Sequence, residues 1–453
     1  MSEKEVAEWL LAEAMALLEE GTGMGSLERV IDQVSRECRR RALEELMRRA
    51  AQAHPMDCPH CERSLRIEEH GRSRTVNSSF GIIRFERSYG YCPVCKSYEY
   101  PSDRALGLHE RAAASPRVQE ICALMALRAP ATQAQEDVYR MTGVDVDPST
   151  LHREARRQGE RAMALRDAEV AMAKKTDGLL HLASRARPPS KPFTLVIEID
   201  AWNIRERDNW GMSESLRKAG EEPGRWHWVY TATVFRLDQR GTTVSGRPVI
   251  AERGYVATRA GLDGFTGQLY AESIQRGLLQ AEEVLILGDG AVWIWNLADD
   301  RFKDATQRID LYHVKEHLWD LANSLHDDTK EARAWVTPYL NWLDRRKHGA
   351  LDVIKSLEQL GEQMGRWTPQ QDQTIKSEIG YFKNNQERMD YKEAKKNGQP
   401  VGSGAIESTC SQYQRRFKLP GQFWSLEGDE AFLALATLHR NQRWRQLFPH
   451  DPV

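Results

Sequence analysis

No stretch of about 18 consecutive apolar residues occurs in the 453-residue chain, so a membrane-spanning helix is not expected. The amino terminus, MSEKEVAEWLLAEAMALLEE, is acidic and helical in period, and lacks the basic start of a secretory signal. A surplus of positive charge is missing as well. Charged residues make up 29% of the chain, yet the formal net charge is −2. That balance removes the simplest sign of nucleic-acid binding but leaves room for basic faces, because binding responds to local charge. Cysteine is scarce: the seven residues, odd in number and unevenly spaced, do not describe a disulfide scaffold. These absences lead to the expectation of a soluble, cytoplasmic chain of two to four domains with no membrane partner.

The cysteines that are present concentrate in two knuckles, Cys58 and Cys61 in CPHC and Cys92 and Cys95 in CPVC. Between them lies the alternating stretch RTVNSSFGIIRFERSYGY, which reads as a hairpin. Four thiolates at this spacing can close a tetrahedron around a structural Zn²⁺, so residues 55–105 are expected to form a zinc ribbon that depends on its metal to fold. Arg72, Arg74, Arg84 and Arg87 on that hairpin suit a phosphate backbone; the plain alternative is a solvated face.

Residues 1–54 carry apolar residues at helical spacing and are expected to form a helical arm. Residues 106–180 read as all-helical. Ser115 is placed to cap a helix whose first residue is Pro116. Further on, TQAQEDVYRMTGVDVDPSTLHREARRQGERA gives a helix, a turn at Gly143, and a second helix capped by Ser149 or Thr150. That is the outline of a helix-turn-helix with Arg153, Arg156 and Arg157 on the early turns of the recognition helix, although any helical hairpin with surface arginines has the same outline.

The Ser/Arg/Pro-rich residues 181–192 read as a linker. From 193 to 320 three meandering strands give way to strand–helix alternation, the pattern of an α/β layer with a mixed sheet. Residues 321–400 read as a helical insertion, and 401–453 as helices returning to the sheet. Two strands end in aspartate, Asp200 in VIEID and Asp289 in ILGDG, and Glu407 follows a glycine-rich turn in VGSGAIES. Either aspartate alone is as well explained as a turn cap. Three dispersed acids are nevertheless enough to hold a pair of Mg²⁺ ions for phosphodiester chemistry.

The order EIDAW, LGDGAVWIW, DLYHVKEHL, and GSGAIES followed by RRFKLPGQFWS closely resembles bacterial insertion-sequence DDE transposases of the ISKra type, relatives of the Mutator-like enzymes. The match spans roughly residues 190–453. The resemblance implies a multidomain α/β protein: a ribonuclease-H-like mixed-sheet catalytic domain with a helical insertion, preceded by the zinc ribbon and the helix-turn-helix. It implies binding to the terminal inverted repeats of an insertion sequence, then DNA cleavage and strand transfer dependent on Mg²⁺ or Mn²⁺. Asp200, Asp289 and Glu407 would be the acidic triad. The family's D-x-x-H element would fall on Asp310 and His313, with His313 against the scissile phosphate. Ala201 departs from the family, many of whose members carry glycine there. Arg415, Arg416 and Lys418 would meet phosphates, and Trp424 would stack on an unpaired base. Double-stranded element ends and target DNA would be the partners of a homodimer or larger assembly.

Two rival readings accompany this one. HVKEH, His313 to His317, matches the H-x-x-E-H pattern of inverted zinc peptidases. A catalytically silent, transposase-derived DNA-binding regulator would use the ribbon and helix-turn-helix equally well.

Overall fold

The computed structural model describes residues 3–17, 23–108, 112–207, 211–221, 224–363, 365–425 and 427–449. The chain forms two compact units: Met1–Arg161 together with Arg445–Val453, and Ala162–Trp444.

The first unit opens with helices α1 (Glu3–Ala16) and α2 (Met24–Ala53). Strands β1 (Arg66–Ser78) and β2 (Gly81–Cys92) form an antiparallel hairpin, and the short β3 (Ser97–Glu99) adds to the far side of β2. Val76, Ile83 and Phe85 point from the hairpin onto Leu43, Met47 and Ala51, a stripe at i, i+4 and i+8 of α2. The second half of α2 therefore belongs to the core of the ribbon.

The arginines of the ribbon divide by burial. Arg84 and Arg72 are exposed, whereas Arg74 is 6% exposed and, with Arg87, pairs with the carboxylate of Asp103 in helix α3 (Pro101–Ala105). Arg74 and Arg87 thus leave the set expected at a phosphate backbone, because a buried carboxylate claims them. Replacing Asp103 by alanine strands two guanidinium groups inside the protein. It is expected to cost about 3–5 kcal/mol of stability in denaturant unfolding.

Helix α4 (Pro116–Ala126) begins at Ser115, whose side chain accepts from the Val118 amide. Helix α5 (Ala131–Thr142) ends on Gly143 in the left-handed region (φ 62°), where a Cβ would strike the Arg36 guanidinium. The following helix, α6 (Pro148–Ala173), is capped by Asp147 rather than by Ser149 or Thr150. Pro148 takes the first helical position, so the cap is the residue before it, two or three residues ahead of the expected ones. The boundary between the two units lies within α6.

The second unit is built on a five-stranded mixed sheet. After α7 (Thr176–Ala183) come β4 (Thr194–Glu206), α8 (Ser213–Lys218), β5 (Arg225–Arg236), the short pair β6 (Arg240–Thr242) and β7 (Pro248–Ile250), and β8 (Gly254–Thr258). Then follow α9 (Gly261–Gln275), β9 (Glu283–Gly288), α10 (Val292–Arg301), β10 (Thr306–Ile309) and α11 (Leu311–Leu325). The sheet order is β10-β9-β4-β5-β8, antiparallel from β4 through β5 to β8 and parallel from β4 through β9 to β10. The stretch expected as a linker starts inside α7, whose Leu182 is fully buried against Ala271 and Ile274 of α9.

Both faces of the sheet are covered, as the near-continuous apolar run of β4 requires. Leu195, Ile197 and Ile199 meet Phe265, Leu269, Ile294, Val314 and Leu318 on one face. The same core continues into α12 (Thr329–Arg345), α13 (Gly349–Gly361), α14 (Pro369–Asn385) and α15 (Tyr391–Lys396), the helical stretch between α11 and the return to the sheet. On the other face Val196, Phe235, Leu285 and Leu287 pack with Ala405 of α16 (Gly404–Phe417). Helix α17 (Gly428–Arg440) completes the unit. No helix among the described residues is long and apolar enough to cross a membrane.

Candidate active site and metal centre

The candidate metal centre lies where the two cysteine knuckles meet. The Sγ atoms of Cys58, Cys61, Cys92 and Cys95 all lie within 4.8 Å of one another. Cys58 to Cys95 is 3.8 Å and Cys61 to Cys92 is 3.5 Å. Sulfurs tetrahedral about one zinc at a bond length of about 2.3 Å stand roughly 3.8 Å apart, so the four thiols fit a metal such as zinc. Each knuckle closes in the same way. The residue after its second cysteine, Glu62 or Lys96, has a positive φ, and its amide donates to the carbonyl of the first cysteine. The Cys95 amide also donates toward the Cys92 sulfur.

Strand pairing brings Asp200 and Asp289 to the same level of the sheet. The parallel ladder between β4 and β9 ends at Glu198 opposite Leu287. Asp200 and Asp289 each lie two residues further on, at one level: β9 ends just before Asp289, while Asp200 stays within β4, which runs on beyond the expected strand end to Glu206. The Asp289 carboxylate is held by the Ala291 amide in the turn before α10. In that turn Gly290 (φ 103°) lies against the Tyr381 ring of α14. Asp310 follows β10 at the same edge, its amide bonded to the Gly288 carbonyl.

Helix α16 reaches this edge because its first turn is tied at two points. Asp310 Oδ2 accepts from the amide and hydroxyl of Ser403, and Glu198 Oε2 accepts from the Ile406 amide at 2.8 Å. Glu407 is the next residue. Three residues on in α16, the buried Cys410 thiol is pushed up by burial and then by the charge of Asp200. Electrostatics register the crowding. Burial first, then the charge of Asp289, push the Asp200 carboxyl upward, and partial desolvation followed by Asp310 and Asp200 does the same to Glu407, which is otherwise exposed to solvent. His313, half-exposed in the first turn of α11, opposes both shifts. Glu198, 2% exposed, is pushed up to about 7, chiefly by burial.

Asp310 is a structural anchor. At 2% exposure it caps α11 by accepting from the Tyr312 and His313 amides while holding Ser403, and no lone pair is left for a ligand. Asp310→Ala would remove a helix cap and leave the buried Ser403 amide unpaired. A loss of about 3 kcal/mol is expected by urea denaturation, and less for Asp310→Asn.

The residues expected at DNA fare unequally. Arg153 is exposed, while Arg156 pairs with Glu160 and Arg157 with the buried Glu154. Arg415 and Lys418 are exposed at the end of α16. Arg416 is not: it is 9% exposed, its guanidinium lies on the Trp424 ring, and desolvation lowers it to about 10. Trp424 is 4% exposed, stacked on Phe417 at 4.8 Å with its indole nitrogen bonded to the Phe417 carbonyl, so no face is open to a base. Its backbone bonds to Arg205 and Arg207 at the end of β4. The expected surface roles of Arg416 and Trp424 give way to packing, because α17 and the end of β4 cover this segment.

The H-x-x-E-H residues do not assemble as zinc ligands. His317 is held by Glu378 at 3.0 Å and lies flat on Tyr381, while Glu316 pairs with His313. Among the described residues, the four cysteines are the only group of three or more potential ligands with all ligating atoms within 4.8 Å. Sequence reasoning missed Cys410, Ser403 and Tyr381, whose roles depend on contacts between distant segments. No family model matches the chain, and neither does any curated protein.

Proposed function

We propose that this chain is a DDE transposase of an insertion sequence, of the ISKra type, with a ribonuclease-H-like catalytic core. One observation carries the reading: Asp200 and Asp289 stand at one level on adjacent parallel strands, where the β4–β9 ladder ends, and the first turn of α16, which carries Glu407, is tied to that same end by Glu198 and Asp310. The mixed sheet and the helices between α11 and α16 support it further.

The donor set is made of hard carboxylate oxygens, with the proton affinity of Asp200 and Glu407 raised, and its chemistry fits Mg²⁺ or Mn²⁺. Three dispersed acids are enough to hold a pair of ions about 3.5–4 Å apart. When bound, such ions lower the pKa of water and stabilise charge on the phosphoryl oxygens. Asp200, Asp289 and Glu407 would hold them, and His313 stands where it can meet a non-bridging phosphate oxygen. Water attacks the phosphodiester at the element end, the P–O3′ bond breaks, and a 3′-hydroxyl is freed. That hydroxyl attacks a target phosphodiester in line and releases a target 3′-hydroxyl.

The ribbon, with its zinc, and the α5–α6 pair would read the terminal inverted repeats. Two DNA ends require at least two protomers. The test is incubation of purified protein with its flanking inverted repeats and Mg²⁺ or Mn²⁺. Nicked and joined ends support the reading; specific end binding without cleavage supports the silent regulator instead.

A further inference from the structure

Strands β4 and β5 run on past the rest of the sheet. Pairing of β4 to β9 ends at Glu198 and that of β5 to β8 at Tyr230, opposite Ala201; beyond these, β4 and β5 stay paired with each other as far as Glu206 opposite Arg225. On one face of this arm the cross-strand rows are Ala201 with Tyr230, Asn203 with Trp228, and Arg205 with Trp226. Trp226 and Trp228 are 60% and 55% exposed, although tryptophan is normally well covered.

The inner end of this face reaches the helix that follows Asp289, where the Tyr230 ring meets the Trp293 ring edge-on at 5.1 Å; Asp200, one residue before Ala201, points to the opposite face of the strand. The face also has the charge that a polyanion needs. Its cross-strand rows hold arginine and asparagine but no carboxylate, and the Arg205 guanidinium lies 5.7 Å from the Trp226 ring. The acid of the arm, Glu206, turns to the opposite face, where it is 1% exposed and held by Arg259 and His227. An apolar protein partner would call for aliphatic neighbours. Here the rings, about 7 Å apart along the strand, alternate across the pair with groups that bond phosphates and base edges.

We propose that the exposed face of the β4–β5 arm binds an unpaired stretch of DNA leading away from the cleaved bond, its bases stacked on Trp226 and Trp228 and Arg205 at its phosphates. This rests on the transposase reading for its substrate, and it puts base stacking on the arm instead of at Trp424.

The experiment is fluorescence anisotropy with full-length protein, using labelled oligo-dT and, separately, a labelled duplex of the element end. Trp226→Ala and Trp228→Ala are each expected to weaken oligo-dT binding roughly 10-fold, and the double variant more than either. Duplex affinity and melting temperature should stay near wild type. Phenylalanine at both positions, which keeps an aromatic face, should retain most of the oligo-dT affinity. Unchanged oligo-dT affinity in a folded double alanine variant overturns the proposal. So does a double variant that only shifts the sedimenting species from dimer to monomer, which would give this face to a second copy of the chain. If oligo-dT binding depends on the tryptophans but no metal-dependent cleavage is ever seen, the transposase reading fails and the stacking site stands.

Discussion

Asp289→Ala is expected to lower metal-dependent cleavage at the element end by about 1,000-fold or more, with duplex end binding nearly unchanged. Each tenfold loss of rate corresponds to about 1.4 kcal/mol of barrier, and a catalytic metal supplies several kcal/mol of charge stabilisation. Asp289 is half-buried at the strand end, and its carboxylate is already oriented by the Ala291 amide. Alanine removes a ligand without opening a core cavity. Asp200→Asn and Glu407→Gln should lose activity to a similar extent. They carry a second signature, because both carboxyls are pushed toward the protonated form by burial and by neighbouring acids. A folded-state pKa above the unfolded value means that the charged form costs stability at neutral pH. Neutralising Asp200 should therefore raise, not lower, the melting temperature in metal-free buffer. Normal cleavage rates in any of the three variants would remove that residue from the triad.

The second large effect is at the cysteines. Purified protein is expected to carry one equivalent of zinc, and Cys92→Ser or a strong chelator should unfold the knuckle end of the ribbon. Little else holds that end: its apolar cluster is Cys58, Leu65 and Cys92, with Met56 and Cys61 beside them. Structural zinc contributes about 10–16 kcal/mol of apparent binding free energy, which here would be folding free energy. The other end of the hairpin has Val76, Ile83 and Phe85 packed on α2. The β1–β2 register shifts between Ile67 and Arg72 separate the two ends. Hydrogen exchange after chelation should thus rise around residues 58–66 and 90–99 while residues 76–85 stay protected. Uniform protection throughout would show that the metal is dispensable.

Legibility differed with the distance over which a residue's role is decided. The cysteine knuckles were readable because ligand spacing within each CxxC is a local property, and the hairpin that joins them is announced by alternation. Ser115 as a cap was equally local. The cap of α6 was misplaced by two or three residues because Asp147, Ser149 and Thr150 are all good caps and the choice turned on Pro148. Asp200 and Asp289 stand out in the sequence as acids closing apolar runs, although β4 itself continues past Asp200 to Glu206. Their common level does not stand out there, since it follows from the parallel register of strands more than 80 residues apart.

The sequence by itself determined the metal-ligand set, the alternation of strands and helices, and the list of acids, since each is written in local periodicity and residue chemistry. Tertiary structure alone decided who is covered. It buried Arg74 and Arg87 on Asp103, closed Arg416 and Trp424 beneath α17, and made Asp310 an anchor for Ser403. It also left Trp226 and Trp228 in the open on an arm that outruns its neighbours. Burial is a property of which distant segments come to rest on a residue, and no window of sequence around that residue contains them.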